Sequence, residues 1–338
     1  MNIRMLICIG TGFASGLPLY ILIQLVPAWL RDSGVSLSDI GLFALIQMPY
    51  TWKFLWAPLI DRFAFPIGLR RGWILIFQLS LVLSVALLGW FNPVIETSSI
   101  ALLALMVAFF SASQDIALDA YRREILPDDE LGLGNSVHVQ AYRLSSLIPG
   151  SLSLILADRM NWESVFLITS AFMIFGIVMT LLVSEPERDI EIRHFGMKAM
   201  IFAPLDELLL RKGIGGLLLV VAFIVLYKLG DNMATALSTP FYIDLGFTKT
   251  EIGLVAKNAA LWPAIFGGLA GGLLMIKLGI NKALWIFGGV QLFSILGFAV
   301  LASFTPTLWL LAIVVGFEYL GVGLGTAAFT AVIARETS

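Results

Sequence analysis

The chain is 338 residues long, 59% hydrophobic before its 31 glycines are counted, and only 13% charged. A soluble domain carries about 25% charged residues, so most of this chain has lipid for a solvent. Lys and Arg total 21 against 23 Asp and Glu, which leaves no basic excess to meet phosphates and excludes a nucleic-acid binder. One cysteine, Cys8, and two histidines, His138 and His194, exclude internal disulfides and a Cys or His metal cluster.

A helix rises about 1.5 Å per residue, so about 20 apolar residues cross a hydrocarbon core of about 30 Å. In chain order the sequence predicts ten such spans, near 5–30, 39–60, 73–90, 99–119, 134–157, 164–183, 214–238, 251–275, 283–303 and 308–333. The first exceeds the apolar core of a cleavable leader and is read as span one. Orientation follows from the cations of the connections. With the N-terminus inside, the inner segments hold Arg4, Arg62, Arg70, Arg71, Arg122, Arg123, Arg188, Arg193, Lys198, Arg211, Lys212, Lys277, Lys282 and Arg335. The outer segments hold only Arg31, Arg159 and Lys249, so the N-terminus is expected in the cytoplasm.

The charged stretch 184–213 divides the chain into a six-span unit at 1–183, a cytoplasmic linker and a four-span unit at 214–338. Within the linker, 204–211 reads as a short amphipathic helix on the membrane surface, with Pro204 in its first turn. Residues 30–42 align without gaps on 242–254, with Asp32/Asp244, Gly34/Gly246, Ile40/Ile252, Gly41/Gly253 and Leu42/Leu254 identical. Ser36 with Asp39, and Thr248 with Glu251, are matching helix-start signals in the two copies. The offset of 212 residues makes the halves parallel repeats of six spans, the arrangement of the major facilitator superfamily. Ser338 then corresponds to Leu126, so two of twelve helices are expected to be missing and a complete chain to end near residue 395. A natural ten-helix chain is the alternative.

Eight charges remain inside spans: Lys53, Arg143, Lys228 and Lys257, with Asp115, Asp119, Asp231 and Glu318. Each is costly in hydrocarbon unless paired or facing water, so they should mark the interior cavity. They fall on spans two, four, five, seven, eight and ten, and none on three, six or nine, the helices that face lipid in that fold. Arg143 and Glu318 lie about ten residues into their spans, roughly 15 Å and near mid-bilayer. Arg143 could clamp a carboxylate or phosphate, and a carboxylate that alternates between water and apolar surroundings can load and release a proton. Lys228 and Asp231, spaced i,i+3, read either as a structural ion pair or as substrate or gate groups. For Asp119, followed by Arg122 and Arg123, structural pairing is the favoured reading.

Tyr50, Trp52 and Trp56 cluster on span two, with Trp262 on span eight; they could stack on sugars or belt the interface. Trp29 reads as interfacial. Gly267/Gly271 and Gly268/Gly272 repeat a small-xxx-small pattern, and Gly321, Gly323 and Gly325 crowd span ten, which suits close helix contact. No hydrolase triad, Walker loop or zinc signature occurs, so an enzyme is a poor hypothesis, no cofactor is expected, and uphill transport would draw on an ion gradient.

Trp52 to Arg62, followed by Arg70 and Arg71, resembles the cytoplasmic loop motif of the major facilitator superfamily with a longer insert. That resemblance implies a gate latch for Asp61, Arg62, Arg70 and Arg71, with Asp119 and Arg122 grouped beside it. Ser113-Gln114-Asp115-Ile116-Ala117-Leu118-Asp119-Ala120-Tyr121-Arg122-Arg123, then Leu126-Pro127, and Val225 to Asp231 are similar to the AmpG-like muropeptide permease family, which is related to acetyl-CoA transporters. The resemblance implies proton-driven import of N-acetylglucosaminyl-anhydro-N-acetylmuramyl peptides across a bacterial inner membrane for cell-wall recycling. Proton-coupling candidates are Asp115, Glu318 and Asp231. Substrate-binding candidates are Arg143, Lys53, Lys228, Lys257, Gln114, Trp52 and Trp262. The expected partners are the lipid bilayer and a small anionic glycopeptide, with the chain acting as a monomer. A symporter of another anion such as acetyl-CoA, and a non-transporting receptor or degenerate fragment, are the alternatives.

Overall fold

The computed structural model describes the backbone of residues 2–63, 65–127, 130–185 and 197–337, and their side chains except at 197–212, 228, 231 and 334–337. The chain is helical and falls into two compact units, Met1–His194 and Phe195–Ser338. Among the described residues, seven helices are long and apolar enough to cross a membrane. In the first unit these are α1 (Ile3–Asp32), α2 (Leu69–Leu88), α3 (Thr97–Ile125) and, after the shorter α4 (Leu131–Ser145), α5 (Trp162–Leu182). In the second, α6 (Met197–Ala236) is followed by α7 (Lys249–Leu278), α8 (Ile280–Ser303) and α9 (Leu308–Thr337), whose apolar part ends at Ile333.

Two stretches expected as spans are not continuous apolar helices, and proline and glycine account for them. Residues 37–62 run through five short helical pieces, three α and two 3-10, because Pro49 and Pro58 each remove a backbone N–H donor. Beyond α4, Pro149 and Gly150 sit in a π-helical turn, Ile148–Leu152, before helix resumes at Ser153–Ala157. In α6, Gly213 adopts φ 68°, which separates the segment before it from the apolar helix 214–236. The 204–211 segment is helical in its backbone, and its expected amphipathic face lies outside the described residues.

The aligned segments share one backbone device. Gly34 and Gly246 both have φ 90°, and in each copy the next residue donates back five positions: Val35 N to Leu30 O at 2.9 Å, Phe247 N to Tyr242 O at 3.2 Å. This is the left-handed helix stop that glycine alone adopts without strain. Two residues later the next helix begins. Ser36 Oγ accepts from Asp39 N at 3.2 Å and Thr248 Oγ1 from Glu251 N at 3.1 Å, with Thr248 and Glu251 completing a reciprocal capping box.

Small residues set which helices touch. In the first unit α1 packs on α4 and α2 on α3. A Cβ on Gly12 would collide with the His138 carbonyl, and one on Gly16 with Ser145 and the Tyr142 carbonyl. In the second unit α7 packs on α9, where a Cβ on Gly267 would stand 2.5 Å from Leu320 O and one on Gly271 2.9 Å from Ala327 Cβ. Trp29, expected at the lipid interface, is instead buried: its ring meets Phe166 at 4.9 Å and Trp162 at 6.5 Å. The helix start of α5 brings Trp162 there, and its indole N–H donates to Asp32 at 2.8 Å.

Gly267→Ala is expected to destabilise the second unit by about 1–3 kcal/mol through overpacking. A lower melting temperature in detergent for Gly267→Ala than for Gly272→Ala, whose Cβ meets open space, checks this; equal melting would contradict it.

Candidate functional site

In the first unit the polar groups meet where α1 crosses α3. Ser15 Oγ donates to Asp115 Oδ1 at 2.6 Å, and Gln114 Nε2 donates to the Ala14 carbonyl at 2.8 Å. Trp56 Nε1 donates to Ser113 Oγ at 2.9 Å, and that hydroxyl donates on to Phe109 O at 2.7 Å. Three adjacent residues of α3 thus tie it to α1 and to the broken 37–62 stretch. Lys53, in the 3-10 turn Lys53–Leu55, is the first cation acting on Asp115, followed by Arg122; Asp119 is the neighbouring anion. Arg143 lies on α4 beside Tyr20, whose ring packs against Tyr142 at 5.5 Å.

Below this group the loop-motif residues form a second network. The buried Arg70 guanidinium bonds to Asp61 through Nη1 and to Glu124 Oε1 at 3.0 Å through both Nε and Nη2. The Glu185 carboxylate accepts from Arg70 N at 2.8 Å and Arg71 N at 3.1 Å, placing an anion on the orphan amides that open α2. Arg71 donates to the carbonyls of Thr180 and Leu181, both at 3.1 Å, at the end of α5. Arg122 pairs with Asp119 at 2.9 Å, whereas Arg62 is exposed on the surface of its unit.

The second unit has its own buried polar groups. Glu318, wholly buried on α9, accepts from Ser294 Oγ of α8 at 2.6 Å. Lys257, buried at the start of the straight part of α7 after a π-helical turn, donates to Thr239 Oγ1 at 2.8 Å. The side chains of Lys228 and Asp231 lie outside the described residues. Trp52 and Trp262 are each about half exposed on the surface of their own units.

The structure therefore ties Gln114 and Asp115 to α1, joins Asp61 to Arg70, and pairs Asp119 with Arg122. Gln114 is turned inward onto a backbone carbonyl. Glu318 faces α8, whose apolar part 283–303 carries no charge of its own. The sequence reading missed Ser15, Ser294 and Thr239 as partners of the charges, and Glu124 and Glu185 as partners of the arginines. A signal existed for Ser15: with Thr11 it makes an i,i+4 hydroxyl pair that matches the i,i+4 pair Asp115 and Asp119. Glu124 and Glu185 carried no such signal, being ordinary interface carboxylates until the fold supplies their neighbours.

Arg70→Ala strands the Glu124 carboxylate, and losing one partner of a buried pair is expected to cost about 3–5 kcal/mol. Arg62→Ala should change stability by less than about 0.5 kcal/mol. The comparison is of melting in detergent, and a matching decrease for both variants would contradict the assignment.

The major facilitator superfamily family model matches residues 8–338. An uncharacterized protein of Haemophilus influenzae is 49% identical over 99% of this chain and 81% of its own length. The anhydromuropeptide permease of Escherichia coli K12 is 39% identical over 98% of this chain and 67% of its own length. Among solved structures, a D-xylose-proton symporter superposes with TM-score 0.66 at 12% identity, over 98% of this chain and 84% of that one. A bacterial homolog of the human lysosomal transporter spinster gives 0.59 at 17% identity, over 99% and 77%. The family model over nearly the whole chain and the identity to a permease make the chain a multi-pass membrane transporter that belongs to the major facilitator superfamily, in its AmpG-like branch.

Proposed function

We propose that this protein imports anhydro-muropeptides from periplasm to cytoplasm by proton symport, with its N-terminus in the cytoplasm of a bacterial inner membrane. The cargo is supported by the 39% identity to a permease named for it, extending over nearly the whole chain. Coupling is supported by one observation above all: Asp115, an acid inside a membrane helix, accepts a 2.6 Å bond from Ser15, with Lys53 among the charges acting on it. A carboxylate so placed can be ionised while it faces Lys53 and neutral when a proton replaces that partnership. Glu318 and Asp231 are the further coupling candidates.

The cations Arg143, Lys53, Lys228 and Lys257 are proposed to meet the peptide carboxylates of the cargo, Arg143 in bidentate geometry. Trp52 and Trp262, exposed on their units, are proposed to stack on its sugar rings. Gln114 is better read as a tie between α1 and α3 than as a substrate ligand, because its amide is already bonded to Ala14 O. The 39–60 and 134–157 stretches are proposed to complete the ten spans as broken helices, a form that membranes admit where protein or a cavity satisfies the freed backbone groups, and 214–238 as an unbroken one.

Uptake of labelled anhydro-disaccharide, with and without its peptide, into vesicles under an imposed proton gradient tests this reading. Gradient-dependent accumulation is expected, and Asp115→Asn should lower it by at least about tenfold. Accumulation of a different anion in place of the disaccharide would overturn the cargo, and undiminished accumulation by Asp115→Asn would remove that residue from coupling.

A further inference from the structure

A polar seam runs along the first unit from Asp115 toward the N-terminal end of α1, and its middle member is a histidine that the transport reading does not use. Thr11 and Ser15 stand one turn apart on α1, and Asp115 and Asp119 one turn apart on α3. From α4, His138 reaches into this row: its Nδ1 lies 3.2 Å from Thr11 Oγ1, and both residues are buried. The Thr11 hydroxyl has one proton, and it points to the Cys8 carbonyl at 3.2 Å. With that proton on the Cys8 carbonyl the same oxygen accepts from His138, the arrangement in which the imidazole proton sits on Nδ1 and Nε2 is the basic nitrogen.

The groups around His138 are few. Arg122 and Asp119, paired at 2.9 Å, act on it from α3, and the Cys8 thiol borders α4 at Gly134 from α1. On its own helix the nearest titratable neighbours are Tyr142 and Arg143, one turn on. Those two lie toward the Asp115 end; in the opposite direction along α4 the seam ends at Glu130, which accepts from Asn2 Nδ2 at 2.9 Å and pairs with Arg4 at 3.4 Å at the start of α1. At the other end Asp115 is bonded to Ser15, one turn or about 5.4 Å beyond Thr11, a gap that one water can bridge.

We propose that His138, oriented by Thr11, is the relay that passes protons between Asp115 and the Arg122–Glu130 end of the first unit. A proton arriving on Nε2 makes the imidazolium, and the ring is neutral again once that proton, or the one on Nδ1 by way of the Thr11 hydroxyl, departs. One proton enters, one leaves, and no bond between heavy atoms changes. The proposal rests on the proton-coupled reading above, and it adds an imidazole, whose two ring nitrogens can take up and give up a proton in turn, between two carboxylates. Thr11 acts through His138 and is a positioning residue.

The test uses the full-length protein in proteoliposomes with labelled anhydro-disaccharide as the probe. Its readout is the ratio of gradient-driven uptake to exchange counterflow, since exchange needs no net proton movement. His138→Gln is expected to lower that ratio at least about tenfold; Thr11→Val should lower it too, and Thr11→Ser should restore it. If the wild-type ratio ignores the proton gradient, coupling itself is overturned. If the wild type responds and both His138→Gln and Thr11→Val match it, coupling stands and the relay is overturned. Should His138→Gln fail to fold, the Thr11→Val and Thr11→Ser pair decides alone: a ratio equal in both to the wild type overturns the relay.

Discussion

Hydrocarbon offers no hydrogen bonds, and the polar groups of this chain are placed by that single constraint. Every span carries some polar atom that would cost several kcal/mol if left facing lipid tails. The solution repeats throughout: a hydroxyl or amide on one helix meets a carboxylate, amide or carbonyl on another. Ser15 serves Asp115, Ser294 serves Glu318, Thr239 serves Lys257, and Thr180 donates to Gln78 at 3.1 Å. Lipid cannot drive apolar helices together as water does, so close approach depends on small residues. Gly12 and Gly16 open α1 to α4, and Gly267 and Gly323 do the same between α7 and α9. Polar pairing and glycine contact are thus two halves of one arrangement, because short hydroxyl side chains reach their partners only where backbones come close.

The same logic explains why the charge network at the mouth of the first unit differs from the groups deeper inside. Arg70 has two carboxylates, Asp61 and Glu124, and its guanidinium is almost wholly buried. Glu185 adds an anion to the helix start beside it, and Arg71 covers the free carbonyls at the end of α5. This end of the unit is held by full ionic partnerships. Asp115 and Lys257, in contrast, each have a neutral hydroxyl as hydrogen-bond partner.

Much of the architecture was legible because its signals are local. Apolar run lengths located the long helices, and the repeat at 30–42 and 242–254 became matching glycine stops at φ 90° with matching caps. Where the reading failed, the cause was non-local or a matter of continuity. Composition alone made spans of 39–60 and 134–157, but Pro49, Pro58 and Pro149 interrupt their hydrogen-bond ladders. Trp29 looked interfacial by its position near a span end, and only the fold brings Phe166 and Trp162 onto it. Charges stood out as candidates because they are rare in spans; serines and threonines did not, because nothing in the sequence says which helix will face them. Hence Asp115 was visible and Ser15 was not, and His138 became informative only once Thr11 lay 3.2 Å away.

Taken together, the first unit holds one acid of a membrane helix on a hydroxyl of its neighbour, while the second holds a buried acid and a buried amine on separate hydroxyl partners. That division gives coupling a physical location and makes a direct claim: cargo and proton cross together. The most direct measurement is the pH of the lumen of wild-type proteoliposomes, followed with an entrapped pH-sensitive dye as unlabelled anhydro-disaccharide peptide is added outside in the absence of any imposed gradient. Acidification of the lumen that depends on the added cargo is the result expected. A lumen pH that stays constant while labelled cargo enters would contradict proton symport and, with it, the role given to Asp115.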